Sequence, residues 1–128
     1  MNIYARWLFG LAAAFNFAIG FSFLFARPLL LRQIGFDPVR GSNIQIANLV
    51  GMFIALFGYC YLLAAIDPRL YRPFIQVGAM GKLLAIVCVA APWLAGSVHT
   101  PPPPLLAGDF IFAFLFLDYL RRTRTASI

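Results

Sequence analysis

The stretch Gly78-Ala79-Met80-Gly81-Lys82-Leu83-Leu84 places the only lysine of this 128-residue chain inside an apolar segment. The segment covers residues 74–94, and about 20 apolar residues are enough for a helix to cross a bilayer. A cation at that depth is costly unless it is paired, because hydrocarbon cannot solvate it. Asp109, in the next apolar segment, is the best-placed carboxylate. We therefore predict that Lys82 and Asp109 meet inside a helical membrane protein.

The overall composition also indicates a membrane protein. Hydrophobic residues make up 62% of the chain, charged residues only 11%, and the mean hydropathy is +0.87. Soluble domains are about half apolar and a quarter charged. The formal net charge of +6 comes from basic residues that stand singly between apolar segments. Because this spacing gives no continuous basic stripe, it argues against nucleic acid as a partner and points to the lipid bilayer.

Four apolar segments predict an all-α, integral membrane four-helix bundle, formed by a single transmembrane domain over residues 1–128. The predicted spans are residues 4–26, 44–66, 74–94 and 105–120. Residues 28–41 are too polar to cross and too apolar to float free, so we expect a short interfacial helix there. An ordinary loop packed on the bundle is the alternative. The first apolar segment is longer than that of a secretory signal and lacks an A-x-A-like cleavage site, so we expect it to be a span.

The distribution of arginines predicts how the spans are oriented. Six arginines belong to the side that holds both termini and the connection between spans two and three: Arg6, Arg69, Arg72, Arg121, Arg122 and Arg124. Three belong to the opposite side: Arg27, Arg32 and Arg40. Since basic residues are enriched on the cytoplasmic side, both termini are predicted to be cytoplasmic.

Four polar residues fall at comparable depths in different spans. A rise of about 1.5 Å per residue places Asn16 and Asp109 about 18 Å from the cytoplasmic ends of their spans, Lys82 about 12 Å and Tyr59 about 10 Å. We predict that these four side chains and Phe15 share one interior that binds a ligand or handles protons. Two alternatives stay open: the charged pair only fixes helix register, or Lys82 extends toward the cytoplasmic headgroups.

Four glycines are predicted to allow close packing near this cluster. Gly78 and Gly81 remove side-chain bulk where Lys82 emerges from its helix. Gly51 and Gly58 lie seven residues apart in span two and are predicted to face a neighbouring helix. Small residues at such positions let two membrane helices approach closely.

The sequence identifies no cofactor and no metal site. The one histidine, His99, lies outside the spans, where it cannot serve as an axial ligand of a transmembrane haem. The two cysteines, Cys60 and Cys88, have no metal-binding or redox spacing. Nucleophile-base pairs and phosphate-binding loops are also absent from the sequence. No connection between the predicted spans exceeds 17 residues, so a soluble active site has no room. Any chemistry would therefore take place within the bilayer or at its surface, and an enzyme is not the first expectation.

Several short motifs resemble the small bacterial membrane proteins grouped as DoxX-like. Arg27-Pro28-Leu29-Leu30-Leu31 leads to Gly35-Phe36-Asp37-Pro38 after the first span, and Gly81-Lys82 and Gly108-Asp109 occupy spans three and four. The resemblance implies a four-helix bundle in the bacterial inner membrane, in some members associated with oxidoreductases or quinone chemistry. It implies no role for an individual residue.

Three functions agree with these features, and we rank them in the following order. The first is a protein that binds a hydrophobic, lipid-like or quinone-like ligand, or that serves as an accessory subunit of a larger membrane complex. The second is a small proton-coupled transporter that uses Lys82 and Asp109 and assembles as a homo-oligomer. The third is an intramembrane enzyme that acts on a lipid-like substrate through the same pair.

Overall fold

The computed structural model describes residues 3–124, and this part of the chain is helical without a strand. Its five helices are α1 (Ile3–Phe25), α2 (Arg27–Ile34), α3 (Asn43–Ile66), α4 (Arg72–Leu94) and α5 (Leu106–Arg122). By length and composition, α1, α3 and α4 are able to cross a membrane. The all-helical fold and the membrane-spanning helices therefore agree with the sequence. Residues 1, 2 and 125–128 of the predicted domain lie outside the described residues.

The observed ends of the long helices differ from the predicted ones by at most two residues, and proline explains two of the differences. Helix α4 begins two residues earlier than expected because Pro73 lies in its first turn, where the missing backbone N–H costs no hydrogen bond. Helix α5 begins one residue later because the proline run precedes it. The carbonyls of Pro103 and Pro104 accept hydrogen bonds from the N–H groups of Leu106 and Ala107.

The predicted short helix between the first two long ones is present as α2. It ends at Gly35, whose φ of +76° is left-handed and is a conformation that glycine adopts without strain. The N–H groups of Gly35 and Phe36 donate to the carbonyls of Arg32 and Leu31, a Schellman motif. The Leu31 side chain is buried against the bundle. Its position at a membrane interface stays a prediction.

Close backbone contact joins α1 to α3. A Cβ atom added at Gly20 of α1 would lie 2.6 Å from the backbone nitrogen of Ala55 in α3. From the α3 side, a Cβ at Gly51 would lie 3.2 Å from the Gly20 carbonyl oxygen, and one at Gly58 equally close to the Ala13 carbonyl oxygen. Gly51 and Gly58 therefore lie where the sequence predicts a helix-facing seam, and α1 is the helix they face.

Aromatic residues join this pair of helices to the second pair, α4 and α5. Phe9, Tyr61 and Phe116 are fully buried, and the ring centroids of Phe9 and Tyr61 lie 5.0 and 5.1 Å from that of Phe116. By contrast, many large apolar side chains elsewhere point outward, such as Trp7 and Leu94. A protein whose outer surface contacts lipid tails has this distribution, because lipid is as apolar as the side chains themselves.

We expect Gly20→Ala to destabilise the protein, because the new methyl group would collide with the backbone of α3. Overpacking of this kind costs about 1–3 kcal/mol. The matched control is Gly10→Ala in the same helix, where an added Cβ has no neighbour within 4 Å. The free energy of unfolding, measured by denaturant titration in detergent, should fall for Gly20→Ala alone. Equal effects of the two substitutions would contradict the close helix contact.

Candidate functional site

The structure brings Lys82 of α4 and Asp109 of α5 together inside the protein. Lys82 Nζ donates to Asp109 Oδ1 at 2.7 Å, and the two side chains are 4% and 18% exposed. The predicted ion pair is therefore present. The alternative in which Lys82 extends to the headgroups is wrong, because its ammonium group points into the bundle.

Asn16 connects this pair to the other two long helices. Its Oδ1 accepts a hydrogen bond of 3.0 Å from Lys82 Nζ, and its Nδ2 donates to the carbonyl oxygen of Ile54 in α3 at 3.1 Å. Gly58 makes this approach possible, since a Cβ there would lie 3.2 Å from the Asn16 Cβ. One amide side chain thus uses both its donor and its acceptor to join α1, α3 and α4.

Three aromatic rings surround the Lys82 ammonium group. The centroids of the Phe15, Tyr61 and Phe112 rings lie 5.2, 5.3 and 5.5 Å from Nζ. A cation over the face of a ring is attracted by the ring quadrupole, most strongly where water is excluded. The rings therefore stabilise the part of the ammonium group that Asp109 and Asn16 do not contact.

The start of α5 also stabilises the carboxylate. Asp109 lies in the first turn of this helix, where the helix dipole favours a negative charge. The helix begins there because the proline run cannot continue a helix upstream. The sequence therefore fixes both the depth of Asp109 and the local field that acts on it.

Tyr59 does not belong to the cluster, and its prediction was wrong. Its side chain is half exposed and does not line the cavity beside Lys82, whereas Tyr61 is buried with its ring next to the Lys82 ammonium group. The depth estimate gave only the height of a residue along its helix. Two residues correspond to about 200° of rotation in an α-helix, so Tyr59 and Tyr61 point to nearly opposite sides.

An apolar cavity of about 590 Å³ lies directly against the pair. This volume is typical of small-molecule sites, which are about 300–1,000 Å³. Phe15, Asn16, Lys82 and Asp109 line it, so four of the five predicted cluster residues share one space. The remaining wall is almost entirely apolar and includes Ile19, Phe23, Phe53, Ile54, Phe57 and Ala85.

The two predicted glycines of α4 have different environments. Gly81 lines the cavity, and a Cβ there would lie 3.6 Å from the Phe57 ring, an ordinary contact. Gly78 instead lies against the Tyr61 ring, which leaves no room for a side chain. Gly81 therefore leaves space in the cavity, while Gly78 allows the aromatic ring beside Lys82 to take its position.

Connecting segments cover the cavity at the end remote from the aromatic core. Leu30 and Ile34 of α2 and the following Phe36 contribute from one side, and Pro103 and Leu105 contribute from the other. The sequence predicted neither contribution. Their role depends on how two segments distant in sequence fold over the same end of the bundle.

Two further residues at the site, Tyr61 and Phe112, were also missed by the sequence analysis. Phe112 follows Asp109 by three residues, and residues at that spacing lie on one face of a helix. This spacing was a usable signal for Phe112. Tyr61 had no comparable signal, because α3 is apolar on all sides.

Comparisons with protein-family models, with curated proteins and with solved structures give no match to this chain. The resemblance to DoxX-like proteins therefore stays a prediction.

We expect Lys82→Met to destabilise the protein by about 3 kcal/mol, because it leaves the Asp109 carboxylate buried without its counter-charge. The double variant Lys82→Met/Asp109→Leu should lose less stability than the single variant, since both charges are then removed. Denaturant titration of the wild type, both single variants and the double variant gives the coupling energy. Additive losses across this cycle would contradict the pairing.

Proposed function

We propose that this protein binds a hydrophobic, lipid-like ligand in the cavity, with the ligand's polar end at the Lys82–Asp109 pair. The observation that carries the proposal is the combination of a ligand-sized apolar cavity with one polar cluster at its wall. Small-molecule sites have this composition, because apolar walls supply affinity and a few polar groups fix orientation. Quinone-like lipids belong to the same broad class of ligand.

The packing beside the pair supports binding over transport. A proton-coupled transporter needs a wet path from the charged pair to each side of the membrane. Phe9 and Phe116 lie about two helical turns from Asn16 and Asp109, toward the end that holds the N-terminus of α1. Both rings are fully buried, as is Tyr61. This aromatic core closes the path on that side, which a transporter would need open.

We also propose that α5 is the fourth membrane span of a four-helix bundle. Its 17 residues correspond to a length of about 25 Å, slightly less than the hydrocarbon layer of about 30 Å. Arg121 and Arg122 in its last turn would lie at the headgroups. A short span of this kind is accommodated by local thinning of the bilayer.

The proposed location is the bacterial inner membrane, with both termini in the cytoplasm. The inner membrane follows from the resemblance to DoxX-like proteins. The orientation is supported by the six arginines at the end that holds the N-terminus of α1 and the C-terminus of α5, against three at the opposite end.

Filling the cavity should abolish retention of the ligand. Ala85 lines the cavity, whereas the adjacent Leu84 points outward and is 54% exposed. We expect Ala85→Phe to lower the ligand-bound fraction strongly, while Leu84→Phe leaves it unchanged. Native mass spectrometry of the three proteins, purified in mild detergent, measures this fraction. Wild-type protein that carries no ligand, or equal retention in both variants, would contradict lipid binding.

A further inference from the structure

The two members of the ion pair are not equally available to a ligand. The Lys82 side chain is only 4% exposed, donates to two oxygen atoms and is surrounded by three aromatic rings. Asp109 is 18% exposed and lines the cavity. The Asp109 carboxylate is therefore the more accessible of the two charged groups.

One oxygen atom of this carboxylate has acceptor capacity left. Oδ1 accepts the bond from Lys82, whereas Oδ2 accepts none from residues 3–124. In the same residues, every fully buried side-chain nitrogen or oxygen atom has a partner, so Oδ2 retains accessible surface. A carboxylate has about four acceptor positions. The site therefore offers a ligand a charged hydrogen-bond acceptor.

Besides the ion pair, the polar side chains Asn16 and Tyr61 line the cavity, and both are less exposed than Asp109. The Tyr61 hydroxyl lies against Gly78, which does not line the cavity. Asn16 is 8% exposed, with its Oδ1 bonded to Lys82 and its Nδ2 to Ile54. Asn16 Nδ2 and Lys82 Nζ each keep one further N–H, but these side chains are only 8% and 4% exposed, against 18% for Asp109. The most accessible polar group of the cavity is thus a hydrogen-bond acceptor, and this restricts the chemistry of the ligand's polar end.

Resting on the proposed function, we propose that the ligand is a lipid alcohol whose hydroxyl group donates to Asp109 Oδ2 while its aliphatic chain fills the apolar part of the cavity. A hydroxyl is a neutral donor, which is what a carboxylate beside a buried ammonium can accept. An ether or ester oxygen is itself a hydrogen-bond acceptor, so it has no hydrogen to donate to the Asp109 carboxylate. A fatty acid would place a second carboxylate beside Asp109, and an alkylamine would bring a second ammonium toward Lys82, so like charges would repel in both cases.

Four probes with the same sixteen-carbon chain test this assignment: hexadecanol, its methyl ether, hexadecanoic acid and hexadecylamine. The purified protein is incubated with hexadecanol and one competitor at equal concentrations, and bound molecules are counted by native mass spectrometry. Hexadecanol should win each competition by about tenfold or more, the effect expected of one hydrogen bond to a charged group. Ala85→Phe, with its cavity filled, should bind none of the probes, and Leu84→Phe should bind as the wild type does.

The outcomes separate the two proposals. Equal binding of the alcohol and its methyl ether would overturn the alcohol assignment and leave lipid binding intact. Preference for the acid would also overturn it, because the ammonium of Lys82 would then be the group that meets the ligand. Failure of all four probes to bind, together with wild-type protein that retains no lipid, would overturn both proposals. None of these measurements requires a variant of Asp109, whose substitution disturbs the ion pair.

Discussion

The arrangement of the helices in this protein depends on one buried ammonium group. Lys82 lies in an apolar helix, and removing its charge from water is costly unless strong partners replace the lost hydration. Asp109 supplies the opposite charge, Asn16 supplies a carbonyl oxygen, and three aromatic rings cover the remainder. Because Lys82 lies in α4 and its partners come from three other helices, satisfying one cation fixes how α1, α3, α4 and α5 are placed against one another.

The same arrangement divides the interior into two parts. On one side of the pair, the buried rings of Phe9, Tyr61 and Phe116 pack against one another. On the other side, the helices and the connecting segments leave a cavity of about 590 Å³. The charged pair lies at the boundary between them. A hydrophobic ligand that enters the cavity would therefore reach a polar end and stop there, which is the geometry of a binding pocket.

The sequence was sufficient to predict the helices and the ion pair, for a physical reason. A single lysine and a single mid-span aspartate in hydrocarbon have few alternatives to each other, so depth alone was enough to pair them. Depth alone did not predict which way the Tyr59 side chain points. Helix α3 is apolar on all sides, so its sequence does not indicate which face turns toward the interior. Tyr61 and the covering segment at Pro103 were missed for the same kind of reason, since their positions depend on tertiary packing.

The central claim is that the Lys82 ammonium group contacts the Asp109 carboxylate in the membrane, and solid-state NMR in lipid bilayers tests it directly. The chain has one lysine and four aspartates, so isotope labels on the lysine side-chain nitrogen and the aspartate carboxyl carbons give an unambiguous signal. We predict one strong dipolar contact, lost in Asp109→Asn and retained in Asp118→Asn, whose carboxylate pairs with Arg121 and Arg122 instead. A lysine nitrogen that contacts lipid phosphate and no aspartate carbon would contradict the account.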